Sequence, residues 1–171
     1  MTTEPTPLDV ARVRMSLRRA VRADVAAVVD LIAAEQPGRH LDDSDADADL
    51  TPYLAAFEAI DTDPAQLLVV VEHDGEIVAT MQLTFIPGLA RRGALRAQVE
   101  AVRVRHDHRG RGLGAAMMRW AIAEARRRGC ALVQLTSDTS RTAAHRFYGR
   151  LGFTASHTGF KLRLPESDED G

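Results

Sequence analysis

The chain has 171 residues, 45% of them apolar and 27% charged, with a formal net charge of −2. That length suits one domain with a substantial core and is short for two. The balance is that of a soluble globular protein, and no stretch approaches the roughly 20 apolar residues of a membrane helix. The near-neutral charge argues against a nucleic-acid binder held by phosphate neutralisation. The start carries Glu4 and Asp9 and no apolar core, unlike a signal peptide, so the expected compartment is the cytoplasm. Cys130 is the single cysteine, which leaves no internal disulfide.

Taken in chain order, residues 1–13 read as a loose arm, with Pro5, Pro7 and no periodicity. Ser16 to Arg19 is a short first strand. Asp24 caps a helix whose Val25, Val28, Val29 and Ile32 recur at helical spacing, and which ends before Pro37-Gly38. His40 to Asp49 is acidic and irregular. Thr51 caps a second helix, with Pro52 in its first turn and Tyr53, Leu54, Phe57 and Ile60 on its apolar side.

Leu67 to Glu72 is a continuous apolar run, and Asp74-Gly75 is a tight-turn signal before the partner strand Ile77 to Ile86. Pro87 to Gly93 is a loop. Arg96 to Val104 is a further strand, with Ala97, Val99 and Ala101 alternating against Gln98, Glu100 and Val102. The polar loop Arg105 to Arg109 follows, then a long helix from about Gly112 to Arg128. Ala131 to Thr136 is a buried strand, Thr142 to Leu151 a helix stopped by Gly152, and Phe160 to Leu164 a last strand. Pro165 to Gly171 is an acidic tail.

The chemistry concentrates in Arg109-Gly110-Arg111-Gly112-Leu113-Gly114. Glycines remove side chains where a ligand must approach the backbone. Helix-start N–H groups and the positive end of the helix dipole then make an anion site. Arg109 and Arg111 add forked donors suited to phosphate, so the predicted ligand carries a pyrophosphate. A plain glycine turn without a ligand is one reading. A dinucleotide fingerprint is another, since Gly110-x-Gly112-x-x-Ala115 matches its spacing. That reading needs glycines directly after the strand and an acid closing the next strand. Here Arg105 to Arg109 intervene, and Ala131 to Thr136 ends without an acid. A coenzyme A pyrophosphate site is the third.

The chain resembles the GNAT superfamily of N-acetyltransferases. Arg109-x-x-Gly112-x-Gly114 matches the family's acetyl-CoA motif, and Ala144-His145-Arg146-Phe147-Tyr148-Gly149-Arg150-Leu151-Gly152-Phe153 looks like its second block, about 35 residues on. The resemblance covers roughly residues 16–164, with its specific part at 98–153. It implies an α/β fold in a single domain spanning 14–164, a mixed and mostly antiparallel sheet of about six to seven strands flanked by helices. It also implies direct transfer of an acetyl group from acetyl-CoA to a small-molecule amine, without a metal, and dimers are common in the family.

Direct transfer requires a held thioester, a stabilised oxyanion, a deprotonated amine and a protonated leaving thiol. By resemblance, the backbone of Val102, Arg103 and Val104 faces the acyl carbonyl and pantetheine. The amides of Arg109, Gly110, Arg111, Gly112, Leu113, Gly114 and Ala115 hold the pyrophosphate. Tyr148 is the general acid: a phenol of pKa about 10 stays protonated at neutral pH. Packing on an amphipathic helix is its structural alternative. Glu100 is the candidate base; two residues before Val102, it is expected to share that residue's face. A plain ion pair with Arg96 or Arg103 is the alternative there. Arg141 stands where many relatives carry an asparagine that contacts the cofactor, and an arginine can reach a phosphate instead. Ser137 and Ser140 lie just ahead of it.

Two metal patterns fail. His106-Asp107-His108 lies between Arg105 and Arg109 without a third ligand, and reads as a solvated loop. Asp45-x-Asp47-x-Asp49 lacks the glycine and glutamate of a calcium loop, having Leu50 and Ala56 there. The acidic run Asp42 to Asp49 reads as a solvated loop, or as an attractor for a cationic amine.

Overall fold

The structure is a computed structural model that describes residues 4–10, 13–34, 49–162 and 164. The chain divides into two compact units, residues 1–135 and 136–171. The first holds a six-stranded sheet in the order β1-β2-β3-β4-β5-β6. Its strands are β1 (Thr6–Val10), β2 (Val13–Arg19), β3 (Gln66–His73), β4 (Glu76–Ile86), β5 (Arg96–Val104) and β6 (Leu132–Leu135). The first five pair antiparallel in succession, and β6 joins β5 in parallel. The mixed, mostly antiparallel sheet expected from the sequence is therefore present, with helices α1 (Val25–Ala33), α2 (Thr51–Thr62) and α4 (Leu113–Arg127) beside it. A short turn, α3 (Ala90–Gly93), is wound left-handed at Arg91 and Arg92.

The side chains of the strands divide into two sets. Leu67, Val69, Val71, Met81, Leu83, Ala97 and Val99 are 2% exposed or less. They occupy one face, with α4 lying against β5. Leu113, Met117, Met118, Ala121 and Ala125 of α4 are equally buried. Beyond its end, the Arg128 guanidinium stacks 3.9 Å from the centre of the Phe85 ring, which fixes the helix over this face. Each of the buried Leu, Val and Met side chains contributes about 1.5–3 kcal/mol. On the other face, Leu68 and Val70 pack with Val25 and Val28 of α1 and Phe57 of α2.

Several expectations are corrected. The supposed loose arm is partly β1, paired with β2 through Leu8 opposite Met15 and Val10 opposite Val13. Two buried apolar residues, Leu8 and Val10, preceded by Pro5 and Pro7 are too short a pattern to read. Pro7 is tolerated because β1 is an edge strand, where a missing N–H breaks no ladder. Asp24 does not cap α1 with its side chain. It is the last residue of a 3-10 turn, Arg22–Asp24, and its carboxylate accepts from the Val21 N–H at 2.8 Å. Thr51 lies inside α2 rather than before it; the Asp49 carboxylate accepts from the Thr51 N–H at 2.9 Å.

Helix α1 stops at Ala33, with residues 35–48 outside the description. The acidic run, except Asp49, and the tail lie outside it too. β6 is half-buried to exposed rather than buried, as befits an edge. Among the described residues no strand forms at 160–164; Phe160, Leu162 and Leu164 are exposed. The second unit is otherwise carried by helix α5 (Thr142–Arg150).

Candidate functional site

β5 is the element that shapes the site, and it is not a regular strand. Ala101 has φ 50°, and the pairing with β4 slips between Thr80 and Gln82. Glu100 stands opposite Gln82 and Arg103 opposite Thr80, so Met81 alone faces Ala101 and Val102. This is a β-bulge: one extra residue on β5, left-handed at Ala101. Since Gln82 and Thr80 share a face, Glu100 and Arg103 do as well. The expectation that Glu100 and Val102 share a face is thereby overturned. A signal existed in the sequence. Apolar residues fall on odd positions at Ala97 and Val99, then on even ones at Val102 and Val104, and such a change of parity marks an inserted residue.

The face that holds Glu100 turns polar towards β5 and β6. The Gln66 side-chain oxygen accepts from Gln82 Nε2 at 3.1 Å and from Thr84 Oγ1 at 2.8 Å, and Gln98 accepts from Gln134 Nε2 at 2.7 Å. Glu100 is exposed.

After β5 the chain makes a 3-10 turn at His106–His108. Here the reading of a solvated loop is corrected. His108 is 7% exposed, its Nδ1 lies 2.8 Å from Asp107 Oδ1, and its Nε2 lies 3.4 Å from His73 Nδ1 at the end of β3. Arg105 donates to both Asp107 oxygens at 2.9 and 3.1 Å and to Glu76 at 2.9 Å. The Arg105 guanidinium first, and His108 second, hold the Asp107 carboxyl well below the usual carboxylate range. This network ties the loop to the β3–β4 hairpin just ahead of the glycines. No sequence pattern announced it, because its partners lie about 30 residues apart. Among the described residues no group of three or more His, Cys, Asp or Glu side chains is placed to hold a metal.

The glycines then turn left-handed, Gly110 at φ 72° and Gly112 at φ 92°. Gly112 is the N-cap of α4, and no side chain caps the helix. A methyl group added at either glycine would meet no atom within 4 Å. The cradle is thus open, and the first N–H groups of α4 end in it without side-chain acceptors. This is the chemistry of an anion site, and a pyrophosphate suits it. The two arginines differ. Arg109 turns back, its Nε donating to the Val104 carbonyl at 2.8 Å, whereas Arg111 lines a cavity with Val10, Val13, Met15, His73 and His108. The Val102 carbonyl accepts from Arg103 Nη1 at 3.0 Å. Residues 102–104 and 109–115 therefore belong together in the first unit.

Tyr148 and Arg141 belong to the second unit. Tyr148 is half-buried on α5, and its ring meets Phe147 and Phe153 edge-on at 5.1 and 5.9 Å between centroids. Arg141 is the N-cap of α5, its N–H donating to the Asp138 carbonyl at 3.1 Å. Asp138 Oδ1 accepts from Ser140 Oγ at 2.6 Å, and the Asp138 carbonyl also meets His145 Nε2 at 2.8 Å. Ser137 Oγ is buried with no hydrogen-bond partner among the described residues. Cys130 is part-buried; burial foremost pushes its thiol up, as suits an inert side chain.

The family model for the acetyltransferase (GNAT) family matches residues 26–153. A transcriptional regulator from Bacillus halodurans C-125 is similar in structure, with a TM-score of 0.81 and 38% identity over 88% of this chain and 99% of that one. An acetyltransferase from Trypanosoma brucei gives a TM-score of 0.71 and 25% identity, over 88% of this chain and 99% of that one. The aminoalkylphosphonate N-acetyltransferase of Salmonella typhimurium is 41% identical over 56 residues, 33% of this chain and 36% of that protein. The match thus spans about a third of that curated relative.

Proposed function

The chain belongs to the acetyltransferase (GNAT) family, and from that premise we propose that it moves an acetyl group from acetyl-CoA to a primary amine of a small molecule. The open, left-handed glycine cradle before an uncapped helix carries the proposal. Acetyl-CoA supplies the activated acyl group. The amides from Arg109 to Ala115 bind its pyrophosphate, and Arg111 adds charge. The edge of β5 from Val102 to Val104 receives the pantetheine, with the Val102 N–H directed at the acyl carbonyl. For the Val104 carbonyl to serve, Arg109 gives up the bond it makes there, and its guanidinium is then released towards phosphate. Arg141 supplies a further phosphate contact.

On the acceptor side, Glu100 takes the proton from the amine, directly or through water, on the polar face that the bulge creates. Tyr148 donates a proton to the departing thiolate, which leaves as the thiol. The amine class is supported by the aminoalkylphosphonate N-acetyltransferase relative, whose substrate carries an amine. The expected compartment is the cytoplasm.

A second reading is a non-catalytic acyl-CoA sensor, favoured by one similar structure being a transcriptional regulator. One experiment separates the two. Acetyl-CoA is titrated into the protein while the melting temperature is followed, and thiol release is then measured against an amine panel. A melting shift with thiol release supports the enzyme, and a shift without release on any amine supports the sensor. No shift at saturating acetyl-CoA sinks both. The Tyr148→Phe variant is expected to bind acetyl-CoA normally and to lose most turnover; unchanged turnover removes Tyr148 from the mechanism.

A further inference from the structure

One face of β5 changes its chemistry along the strand. Arg96, Gln98 and Glu100 share that face, because all three precede the bulge at Ala101. Glu100 is exposed, and Arg96 and Gln98 are half-buried. Gln98 stands in a row with Gln66, Thr84 and Gln134 on β3, β4 and β6. Within the row Gln66 accepts from Thr84 at 2.8 Å and Gln98 from Gln134 at 2.7 Å. These bonds use the oxygens of Gln66 and Gln98, not their amide N–H groups. The face therefore runs from a carboxylate at Glu100, across an uncharged band of amides, to a guanidinium at Arg96. The two charged residues are four positions apart, about 13 Å between Cα atoms on a strand. Arg96 is the unexplained member. Its Nε is buried and has no hydrogen-bond partner among the described residues. Its Nη1 lies beside Gly88, 3.5 Å from where a methyl carbon would stand, and Gly88 follows the end of β4. The cation is thus directed away from Glu100. An arginine cannot shed its charge, and a buried donor without an acceptor is costly, so this resting position is easily left when an anion arrives.

We propose that the acceptor is an elongated amine with an anionic group at its far end, its amine at Glu100 and its anion on Arg96. This rests on acetyl transfer with Glu100 as the base, and adds the class of acceptor. Opposite charges at the two ends of the face match a cationic amine to the carboxylate and a carboxylate or phosphate to the forked guanidinium. The amide band between them bonds to polar groups along the chain and brings no charge that competes with either end. A zwitterion whose charges are adjacent does not span the band. A plain alkylamine spans it but leaves Arg96 without an acceptor, so the face selects against both.

The test measures thiol release from acetyl-CoA with three matched sets of straight-chain amines. These are ω-amino carboxylates whose charges lie from adjacent to about 13 Å apart, ω-aminoalkyl phosphates of the same lengths, and uncharged 1-aminoalkanes. The long anionic amines are expected to exceed the matching alkylamines by about 10-fold or more in kcat/KM, and the first two sets identify the anion. Arg96→Met is expected to raise KM for the anionic amines by about 10–100-fold. It should leave kcat, the use of alkylamines and the affinity for acetyl-CoA unchanged, and Arg96→Lys should recover part of the loss. If Arg96→Met does not fold, Arg96→Lys and the length series on the intact chain still decide. Equal use of anionic and uncharged amines at every length overturns the inference while acetyl transfer stands. A preference for anionic amines that survives Arg96→Met overturns it equally. Thiol release with none of the amines refutes acetyl transfer to amines, and the inference falls with it.

Discussion

Gly112 offers a clean separation between what the fold needs and what a ligand needs. It sits at φ 92°, ψ 0°, and a methyl group added there meets no atom within 4 Å. Gly112→Ala therefore carries no steric cost in the free protein, only the left-handed backbone penalty of about 1–2 kcal/mol. For a domain of this size that lowers the melting temperature by roughly 2–8 °C. Gly75, in the β3–β4 turn, has φ +81° and equally open space, so Gly75→Ala should lose the same stability. The two variants must then diverge in affinity. At Gly112 the methyl group intrudes where the phosphate approaches the backbone, and we expect acetyl-CoA to bind at least about 10-fold more weakly, near 1.4 kcal/mol. At Gly75 the affinity should be unchanged. Calorimetric titration and thermal melts of both variants decide the matter. Equal acetyl-CoA affinity in the two would refute the assignment of the cradle.

Other outcomes follow from particular contacts. Asp24 is 7% exposed and takes both Arg18 nitrogens at 2.7 and 3.0 Å. Burial pushes its carboxyl up, but Arg18 and the Val21 amide outweigh that and hold it below the ordinary value. Asp24→Asn should cost about 2–3 kcal/mol at pH 7, less than a fully orphaned pair because Glu72 still serves Arg18. That stability is present above the unfolded carboxyl value, about 4, and is lost as pH falls through the lower folded one. Urea unfolding should thus show the wild-type advantage shrinking at pH 3; an equal gap at both pH values would contradict it. Glu100→Gln should lower kcat/KM for the amine by roughly 100-fold or more while leaving acetyl-CoA affinity intact, by steady-state kinetics beside titration. Met117→Ala removes a fully buried side chain under β5 and should cost about 2–5 kcal/mol in urea unfolding; a loss below 1 kcal/mol would mean that α4 is not packed as described.

The sheet and the long helix were legible because their residues announce themselves locally. The Leu67-to-Glu72 run, the Asp74-Gly75 turn and the long helical stretch from about Gly112 to Arg128 need no distant partner to be read. The glycine cradle was legible for the same reason. What stayed hidden depends on pairing. β1 exists because Leu8 meets Met15, and the fate of His108 depends on His73, which is 35 residues away. The bulge at Ala101 lay between the two kinds. Its parity change was present in the sequence, yet only the register with β4 fixes where the extra residue falls. It is also what separates Glu100 from Val102, so the geometry of the candidate base rests on one left-handed alanine.

The succession of the strands bears on how the chain is made. Five neighbours pair in the order in which they leave the ribosome, so the sheet up to Val104 can assemble while synthesis continues. Its covering helix, Leu113–Arg127, comes afterwards, and so does β6. Until then Val69, Met81, Leu83 and Val99 have no α4 to cover them, and the nascent chain is at its most adhesive. A pause once Val104 has cleared the ribosome would prolong that interval, whereas one once Arg127 has cleared it would find the same face closed.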